Sequence, residues 1–296
     1  MEAKPLPPQH DLPHHSPWKG VLVAILMFRK PLVSNPSQSE VGRKAFCITP
    51  SMTIKLFFKK LHCYLAMFNM AFFFFLLYPA LYYFSGKPQR YWGMVWLRRW
   101  WARLSTGFAG IFFSFEFEEP VDWSETYMIC PYHSSNLDTA MISLLVKNNR
   151  MCIMGKEELT RNLLTGIYFR TVDLPVDRSS KRASFRAFKA ASERLKDGIS
   201  MVMFPEGGIE NDYPPKLQEF KNGPFRLAIE QQVPVLAITS LNTWKVLWDD
   251  GLKYGSRPGV CKIYVHKPIE TTGLTVNDAN ALKDEVFKVI QGKLGS

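Results

Sequence analysis

The sequence lacks the short motifs that identify several large enzyme classes. It has no Gly-x-Ser-x-Gly elbow, which argues against a serine hydrolase. It has neither Gly-x4-Gly-Lys-Ser/Thr nor Gly-x-Gly-x-x-Gly, so neither a P-loop nor a dinucleotide-binding turn is predicted. None of the six histidines pairs with cysteines at zinc spacing, and we therefore predict neither a metal site nor a bound cofactor.

Cysteine is also scarce. The five cysteines, an odd number, are scattered widely along the chain. This usage argues for reduced thiols and for a domain that faces a cytosolic compartment. Cys130 and Cys152 fall in apolar stretches, and we predict that both are core residues.

The sequence has fewer acidic than basic residues: 26 Asp and Glu and 37 Lys and Arg, which give a net charge of +11. Charge of either sign is absent from residues 61–86. A basic chain can bind nucleic acid or anionic lipid. The apolar run favours lipid, since it is long enough to span about 30 Å as a helix. A buried core helix is the alternative.

Lysines and arginines flank this apolar run on both sides, so they do not predict which end of it faces the cytoplasm. We predict a hairpin or a re-entrant pair that dips into one leaflet, with breaks at Pro79 and at residues 85–86. The next segment, residues 91–104, is rich in tryptophan and carries three arginines. Indoles together with arginines predict a helix in the headgroup layer, with packing on the catalytic core as the alternative.

The first 51 residues differ from the rest, since they are rich in proline, histidine and serine. We predict either that Met52 is the native initiator or that residues 1–51 are disordered and dispensable. Residues 52–106 would then form the membrane-anchoring helices, and residues 107–296 the catalytic domain.

Beyond the anchor, short apolar runs alternate with helical patterns. This predicts an α/β fold with a mixed, largely parallel central sheet flanked by helices and preceded by a membrane-anchoring segment. The predicted strands are residues 110–118, 127–130, 150–154, 171–176, 200–204, 233–239 and 261–266. The predicted helices include residues 139–147, 179–196, 225–231 and 279–290. In the second of these helices the expected cap is Ser179 or Ser180, and the expected apolar face includes Phe185, Phe188, Ala191 and Leu195.

Three polar loops, at residues 131–138, 176–178 and 204–208, each end an apolar run. His133 stands five residues before Asp138, and residues five apart on a helix differ by about 140° in direction. We therefore place His133 in the loop after a strand and Asp138 in the first turns of the following helix. There Asp138 can accept a hydrogen bond from one ring nitrogen of His133 and leave the other as a general base, as in the serine-protease dyad.

Arg178 directly precedes the helix predicted at residues 179–196, whose first turns carry Lys181, Arg182 and Arg186. A helix N-terminus with adjacent arginines is a phosphate site by dipole and charge together. A solvated basic face against the membrane is the alternative. Glu206 is either a cap of the next turn or a pocket residue that hydrogen-bonds the substrate.

Four ordered blocks resemble the membrane glycerolipid acyltransferase family, of the bacterial lysophosphatidic acid acyltransferase type. That family carries Asn-His-x4-Asp, Gly…Ile-Asp-Arg, Phe-Pro-Glu-Gly-Thr-Arg and Val-Pro-Ile-Val blocks in this order. The matching residues are His133 and Asp138, Gly166 with residues 176–178, residues 204–207, and residues 233–235. Residues 220–223 (Phe-Lys-Asn-Gly) also stand in their expected place, and the resemblance covers roughly residues 52–270.

The chain departs from the family pattern at two places. Tyr132 replaces the asparagine, and Gly208-Ile209 replaces Thr-Arg, which removes one expected cation. The resemblance implies that His133 takes the proton of an acceptor hydroxyl, whose oxygen attacks an acyl thioester directly, without a covalent acyl-enzyme. The oxyanion that forms needs donors such as backbone N–H groups at the helix start. The residues that the resemblance places against the substrate are Arg178, Glu206, Gly207 and Lys221.

The function implied is transfer of a fatty acyl group to the free hydroxyl of 1-acyl-glycerol-3-phosphate, giving phosphatidic acid in phospholipid biosynthesis. Another lysolipid, such as a lyso-aminolipid, and glycerol 3-phosphate stay open as acceptors, and the donor is acyl-CoA or acyl-carrier protein. The other expected partner is the phospholipid bilayer, at the cytoplasmic face of the inner or plasma membrane, and no nucleic acid is expected. A catalytically silent lipid-binding membrane module is the alternative from another class. The four polar residues His133, Asp138, Arg178 and Glu206 favour the enzyme.

Overall fold

The computed structural model describes residues 50–148, 150–209, 213–248 and 251–295. The extension predicted for residues 1–51 therefore lies outside the described residues, except for its last two. The described chain begins with two helices that fold back on each other, α1 (Pro50–Ser85) and α2 (Tyr91–Phe108). The indole N–H of Trp101 on α2 donates a 2.8 Å hydrogen bond to the carbonyl of Met70, in the middle of α1.

Helix α1 presents much of its apolar surface outward. Phe74 and Leu81 are buried, but exposed apolar side chains run along its length, including Phe57, Phe68 and Leu76. Within the described part of the chain, the segment Ile54–Ser85 is the one helix long and apolar enough to cross a membrane, and only 22% of its most apolar window is buried. This surface disfavours the buried core helix and indicates association with a membrane.

The predicted break at Pro79 is wrong, because α1 runs through this proline without interruption. A proline removes one backbone hydrogen bond, and an apolar helix tolerates this loss where neighbouring groups support the freed carbonyl. The predicted break at residues 85–86 is confirmed, since α1 ends at Ser85 and a short 3-10 turn, Pro88–Arg90, leads into α2.

Helix α2 packs through one face on the domain that follows it and exposes indoles on another. Trp92, Trp96 and Trp100 are exposed. Arg98 is buried and forms an ion pair with Asp173, with 2.7 Å between nitrogen and oxygen. The prediction that the arginines of α2 lie in the headgroup layer is therefore wrong for Arg98, because the domain supplies its carboxylate partner.

The neighbouring Arg99 also points into the domain, where its guanidinium donates to the backbone carbonyls of Ser143 and Val146. Arg103 differs, since its guanidinium lies over the ring of Trp100, 5.9 Å from the centroid. Two of the three arginines of α2 are thus bound by carboxylate or carbonyl groups of the following domain. This is the alternative prediction, in which α2 packs on the core of the protein.

The domain that follows α2 is built on a mixed seven-stranded sheet, as predicted. Its strands are β1 (Ile111–Phe117), β2 (Met128–Pro131), β3 (Met151–Lys156), β4 (Leu174–Val176), β5 (Ser200–Val202), β6 (Val235–Ser240) and β7 (Gly259–Val265). The strand order is β1-β7-β6-β2-β5-β3-β4, with β6 and β7 antiparallel and all other neighbours parallel. Strand β2 therefore lies in the middle, between β6 and β5.

Helices cover both faces of this sheet. They are α3 (Asp138–Leu145), α4 (Gly166–Phe169), α5 (Lys181–Lys196), α6 (Gly223–Gln231), α7 (Thr243–Val246), α8 (Gly251–Tyr254) and α9 (Ala279–Leu294). Buried side chains of α1, α2 and α3 form one apolar cluster with the sheet, and those of α5, α6 and α9 form the other. Cys130 and Cys152 are buried in the second cluster, which confirms them as core residues.

Helix α5 differs from its prediction in one apolar residue. The Ser180 hydroxyl caps its N-terminus by accepting from the N–H of Ala183, as predicted. Phe185, predicted on the apolar face, is 71% exposed, whereas Ala187 is buried. The buried face of the helix thus includes Ala187, Ala191 and Leu195 but not Phe185.

The exposed surface of α1 predicts how the protein is held. We expect alkaline carbonate to leave the full chain in the membrane pellet, because the exposed apolar side chains of α1 gain more from lipid than from water. The measurement is the distribution of the protein between pellet and supernatant. Release into the supernatant would contradict integral anchoring.

Candidate active site

The polar loops predicted as functional lie at one edge of the sheet. His133 follows β2, Glu206 follows β5, and Arg178 follows β4. These three strands are parallel, so their carboxyl ends lie at the same edge. In open α/β sheets this edge is where ligands bind.

His133 and Asp138 form the predicted dyad. Nδ1 of His133 lies 3.0 Å from a carboxylate oxygen of Asp138, which is the first residue of α3 and is fully buried. The same oxygen accepts from the backbone N–H groups of Ser134 and Ser135, at 2.8 and 2.9 Å. An oxygen held by N–H donors favours the tautomer with a proton on Nδ1, which leaves Nε2 of His133 as a base. The imidazole stacks on the Phe204 ring, with 4.0 Å between centroids.

A chain of buried hydroxyls lies behind Asp138. The hydroxyl of Thr243 lies 3.3 Å from the second carboxylate oxygen of Asp138 and 3.0 Å from the hydroxyl of Ser134. Ser134 in turn lies 3.0 Å from the hydroxyl of Ser240. Sequence reasoning missed Thr243 and Ser240, because they lie more than 100 residues from Asp138 and no short motif links them. Their hydrogen bonds orient the carboxylate that orients His133.

Glu206 holds the histidine loop in place. It is buried, and one carboxylate oxygen accepts from the backbone N–H of His133 at 2.8 Å. The other oxygen accepts from the backbone N–H of Gln218 at 3.3 Å. Glu206 therefore joins two loops of the site, whereas its predicted contact with the substrate stays a prediction.

The backbone N–H groups at the start of α3 already donate hydrogen bonds within the protein. The backbone nitrogens of His133, Ser134 and Ser135 donate to Glu206 or Asp138, and that of Leu137 donates to the hydroxyl of Ser135. We expected such groups to stabilise the oxyanion. In this structure they stabilise the two carboxylates of the site instead.

Arg178, Gly207 and Lys221, the residues predicted to contact the substrate, lie close together. The Arg178 guanidinium donates to the carbonyl of Gly207. A β-carbon on Gly207 would lie 2.7 Å from Nζ of Lys221 and 3.0 Å from a guanidinium nitrogen of Arg178. Both cations therefore lie over the Gly207 peptide and are exposed to solvent. They form a basic rim beside the loop of His133.

Gly207 has a backbone conformation that favours glycine, with φ of 81°. We expect Gly207→Ala to lower the free energy of unfolding by about 1–2 kcal/mol, because a β-carbon is strained at positive φ. We also expect a raised KM for the substrate bound at the basic rim, since the methyl group would displace Lys221. Thermal unfolding and steady-state kinetics are the measurements.

Gly208→Ala is the matched control, because a β-carbon there would meet nothing within 4 Å. An equal loss of stability and affinity in the two variants would contradict the role given to the Gly207 peptide.

The buried cysteines beside the dyad are not nucleophiles. Burial and, to a smaller extent, the charge of Asp138 raise the pKa of the Cys261 thiol to about 12. Burial also raises the pKa of Cys130 well above its usual range. Both thiols stay protonated at neutral pH, and a thiol is a poor nucleophile in that form. The arrangement at this edge is a general base beside a basic rim.

The chain is similar in sequence to several acyltransferases. The family model described as "Acyltransferase" matches residues 113–240. An uncharacterised acyltransferase of Schizosaccharomyces pombe is 30% identical over 184 residues, which cover 62% of this chain and 65% of that protein. The 1-acyl-sn-glycerol-3-phosphate acyltransferase alpha of Mus musculus is 26% identical over 170 residues, or 55% of this chain and 56% of the relative. The chain thus matches less than two thirds of either relative.

The fold has a counterpart among solved structures. The 1-acyl-sn-glycerophosphate (LPA) acyltransferase PlsC from Thermotoga maritima superposes with a TM-score of 0.65 at 20% identity. The superposition covers 82% of this chain and 96% of that protein. The likeness therefore extends over most of the described helices and strands.

Proposed function

We propose that the chain is a membrane glycerolipid acyltransferase, which transfers a fatty acyl group from an acyl thioester to 1-acyl-glycerol-3-phosphate. The product is phosphatidic acid. The observation that carries the proposal is the 3.0 Å contact between His133 and the buried Asp138, beside the basic rim of Arg178 and Lys221. This pairing supplies both a base for a hydroxyl and cations for a phosphate.

The reaction needs one proton to move twice. Nε2 of His133 takes the proton of the acceptor hydroxyl as its oxygen attacks the thioester carbonyl. Asp138 stabilises the imidazolium that forms. When the tetrahedral intermediate collapses, the carbon–sulfur bond breaks and the imidazolium returns the proton to the leaving thiolate. The products are the new ester and a free thiol, and His133 regains its starting form.

The acceptor headgroup would bind at the basic rim. A phosphate needs charged donors, and Arg178, just after β4, and Lys221, just before α6, would supply them. Ile209 adds no charge where the family pattern has arginine. Acceptors with a smaller headgroup charge, such as a lyso-aminolipid, are therefore the second candidate.

A lipid acceptor is also consistent with the exposed apolar surface of α1, which indicates association with a membrane. We propose that the catalytic domain lies at the cytoplasmic face of the membrane, where scarce, buried cysteines stay reduced. The acyl donor would be acyl-CoA or acyl-carrier protein. A catalytically silent lipid-binding module would need neither the dyad nor the hydroxyls that orient it.

The test offers the purified full chain a panel of lysolipids with both donors and follows the products by mass spectrometry. We expect phosphatidic acid to form fastest. We expect Arg178→Ala to raise the KM for lysophosphatidate by about tenfold or more, because a charge-assisted hydrogen bond contributes roughly 1.5–3 kcal/mol.

The KM for a neutral lysolipid should change far less in the Arg178→Ala variant. Lys288→Ala on the exposed side of α9 is the control for loss of one positive charge, and it should leave both KM values as they are. If Arg178→Ala raised the KM equally for charged and neutral acceptors, Arg178 would have a structural role only.

A further inference from the structure

Helix α1 is tied to the domain that follows α2 by both ring nitrogens of His62. Nε2 of this half-buried side chain lies 2.8 Å from the carbonyl oxygen of Ala109, and Nδ1 lies 2.6 Å from the hydroxyl of Ser256. Because a carbonyl only accepts, Nε2 carries a proton, and Nδ1 of the neutral ring accepts from the Ser256 hydroxyl. Ser256 is 2% exposed, so this polar contact is made inside the protein.

The backbone of α1 also lies directly on the segment before Ser256. Gly255 has φ of 72°, and a β-carbon on it would lie 2.4 Å from Cβ of Lys59 and 2.6 Å from the carbonyl carbon of Lys59. That carbonyl accepts from the N–H of Ser256 at 2.9 Å. The close approach requires a glycine, and we refer to residues 251–256 as the seat of α1.

The seat is joined in turn to the segment that contains α7. Ser256 pairs with Leu247 in an antiparallel β-bridge. The next residue, Arg257, donates from its backbone N–H to the carbonyl of Val246 at 3.0 Å and from Nε to the carbonyl of Lys245 at 3.1 Å. The segment of α7 is therefore held in a fixed position relative to the seat.

The same segment contacts the dyad loop at two points. The hydroxyl of Thr243 lies 3.3 Å from Asp138, and the carbonyl of Leu247 accepts from the hydroxyl of Ser135. The backbone N–H of Ser135 donates to the carboxylate oxygen of Asp138 that contacts His133. Each step from α1 to Asp138 is thus a direct contact between neighbouring groups.

From these contacts we propose that His62 is a positioning residue for the dyad. By holding Ser256 it fixes the segment that carries Thr243, and thereby the direction in which Asp138 orients the imidazole of His133. The inference rests on the proposed function, in which this imidazole is the base. A misplacement of reacting groups by about 1 Å can lower a rate by about 10². The catalytic step therefore depends on how α1, the apolar helix, sits on its seat.

A hydrogen-bonded link suits this role better than apolar packing alone. Phe74 and Leu81 of α1 are buried in the apolar cluster, and such contacts hold the helix with little directional preference. A buried network of paired polar groups specifies one arrangement. The contact of His62 with Ser256 therefore fixes the register of α1 on its seat.

The strand order separates this link from the basic rim. Thr243 follows β6 and Arg178 follows β4, and β2, which precedes the dyad, lies between these strands. A change at His62 should therefore reach the base and leave the headgroup site as it is. We expect kcat to fall while the KM for the acceptor stays the same.

The first experiment measures this split between kcat and KM in the full chain. His62→Leu and Ser256→Ala remove the same hydrogen bond from opposite sides, and each should lower kcat about fivefold or more. His62→Gln keeps one donor and one acceptor and should recover most of the lost rate. Tyr64→Leu is the matched control, because Tyr64 is 53% exposed on the same helix, and its kcat should be unchanged.

Thermal unfolding of the same variants tests a structural role. A lower unfolding temperature with unchanged kcat in both His62→Leu and Ser256→Ala would overturn the proposal, because His62 would then only stabilise the fold. A raised KM at unchanged kcat would also overturn it, since the link would then act on the binding of substrate.

The second experiment is a double-mutant cycle between Ser256 and Thr243. Thr243→Val keeps nearly the same shape and removes the hydroxyl that contacts Asp138. If the link runs through this segment, Ser256→Ala combined with Thr243→Val should lower kcat by less than the product of the two single effects. A loss equal to that product would show that the two residues act independently and would overturn the route.

The third experiment needs no turnover. Hydrogen exchange of the full chain in detergent micelles follows the amides of Ser134 and Ser135, which donate to Asp138. We expect His62→Leu to speed their exchange about fivefold or more and Tyr64→Leu to leave it unchanged. Faster exchange in a chain that acylates no lysolipid would retain the link and contradict the proposed function. Normal exchange and normal kcat in His62→Leu would retain the function and overturn the link.

Discussion

Replacing His133 by alanine is expected to lower kcat by at least about 10²–10⁴, the range that general-base catalysis contributes. The substitution removes the base and leaves Asp138 without the imidazole that it orients. Initial rates of phosphatidic acid formation at saturating acceptor and donor are the measurement. The KM for the acceptor should change little, because Arg178 and Lys221 lie on loops other than that of His133.

The fold of the His133→Ala variant should be retained. The His133 side chain is partly exposed, and the backbone N–H that Glu206 binds is still present in the variant. Its thermal unfolding and its recovery in the membrane fraction should therefore match those of the unchanged chain. Normal acylation by this variant would show that His133 is not the base.

Asp173→Ala is expected to lower the free energy of unfolding by about 3–5 kcal/mol, the usual cost of breaking a buried ion pair from one side. One nitrogen of Arg98 binds both carboxylate oxygens of Asp173, at 2.9 and 2.7 Å. The two side chains are only 4% and 3% exposed. Without Asp173 the Arg98 charge would stay buried, and the N–H of Ile153 would also lose its acceptor.

Thermal unfolding of the full chain in detergent measures this loss. The Arg98→Met, Asp173→Ala double variant is the control, because removing both charges avoids the uncompensated guanidinium. We expect it to be more stable than Asp173→Ala alone. If the two variants are equally destabilised, lost packing and not the buried charge accounts for the effect.

The sheet and the dyad follow from sequence because their signals are local. Most strands are short apolar runs, β1 alternates apolar and polar residues, and His133 and Asp138 are separated by a short turn. The basic rim follows from ordered motifs, and the structure brings its members, Arg178, Gly207 and Lys221, into contact.

The features that sequence reasoning missed depend on distant partners. Arg98 resembles a headgroup-binding arginine until Asp173, 75 residues away, is placed beside it. Thr243 is an ordinary helix residue until β6 places it behind Asp138. The link from α1 to the dyad joins His62 to segments near residues 256 and 247, and no single stretch of the chain carries its pattern. Helical spacing alone also fails to show that Phe185 is exposed.

The hydrogen bond from Arg178 to the carbonyl of Gly207 would affect how strongly the site binds the phosphate of the proposed acceptor. That carbonyl keeps the guanidinium in a set orientation. Under the proposed function, an arriving phosphate would replace this neutral acceptor with a charged one, so the net gain in free energy would be the difference between the two hydrogen bonds. Because substrate and product would share the same headgroup, such a difference would hold the lysolipid and still let phosphatidic acid leave.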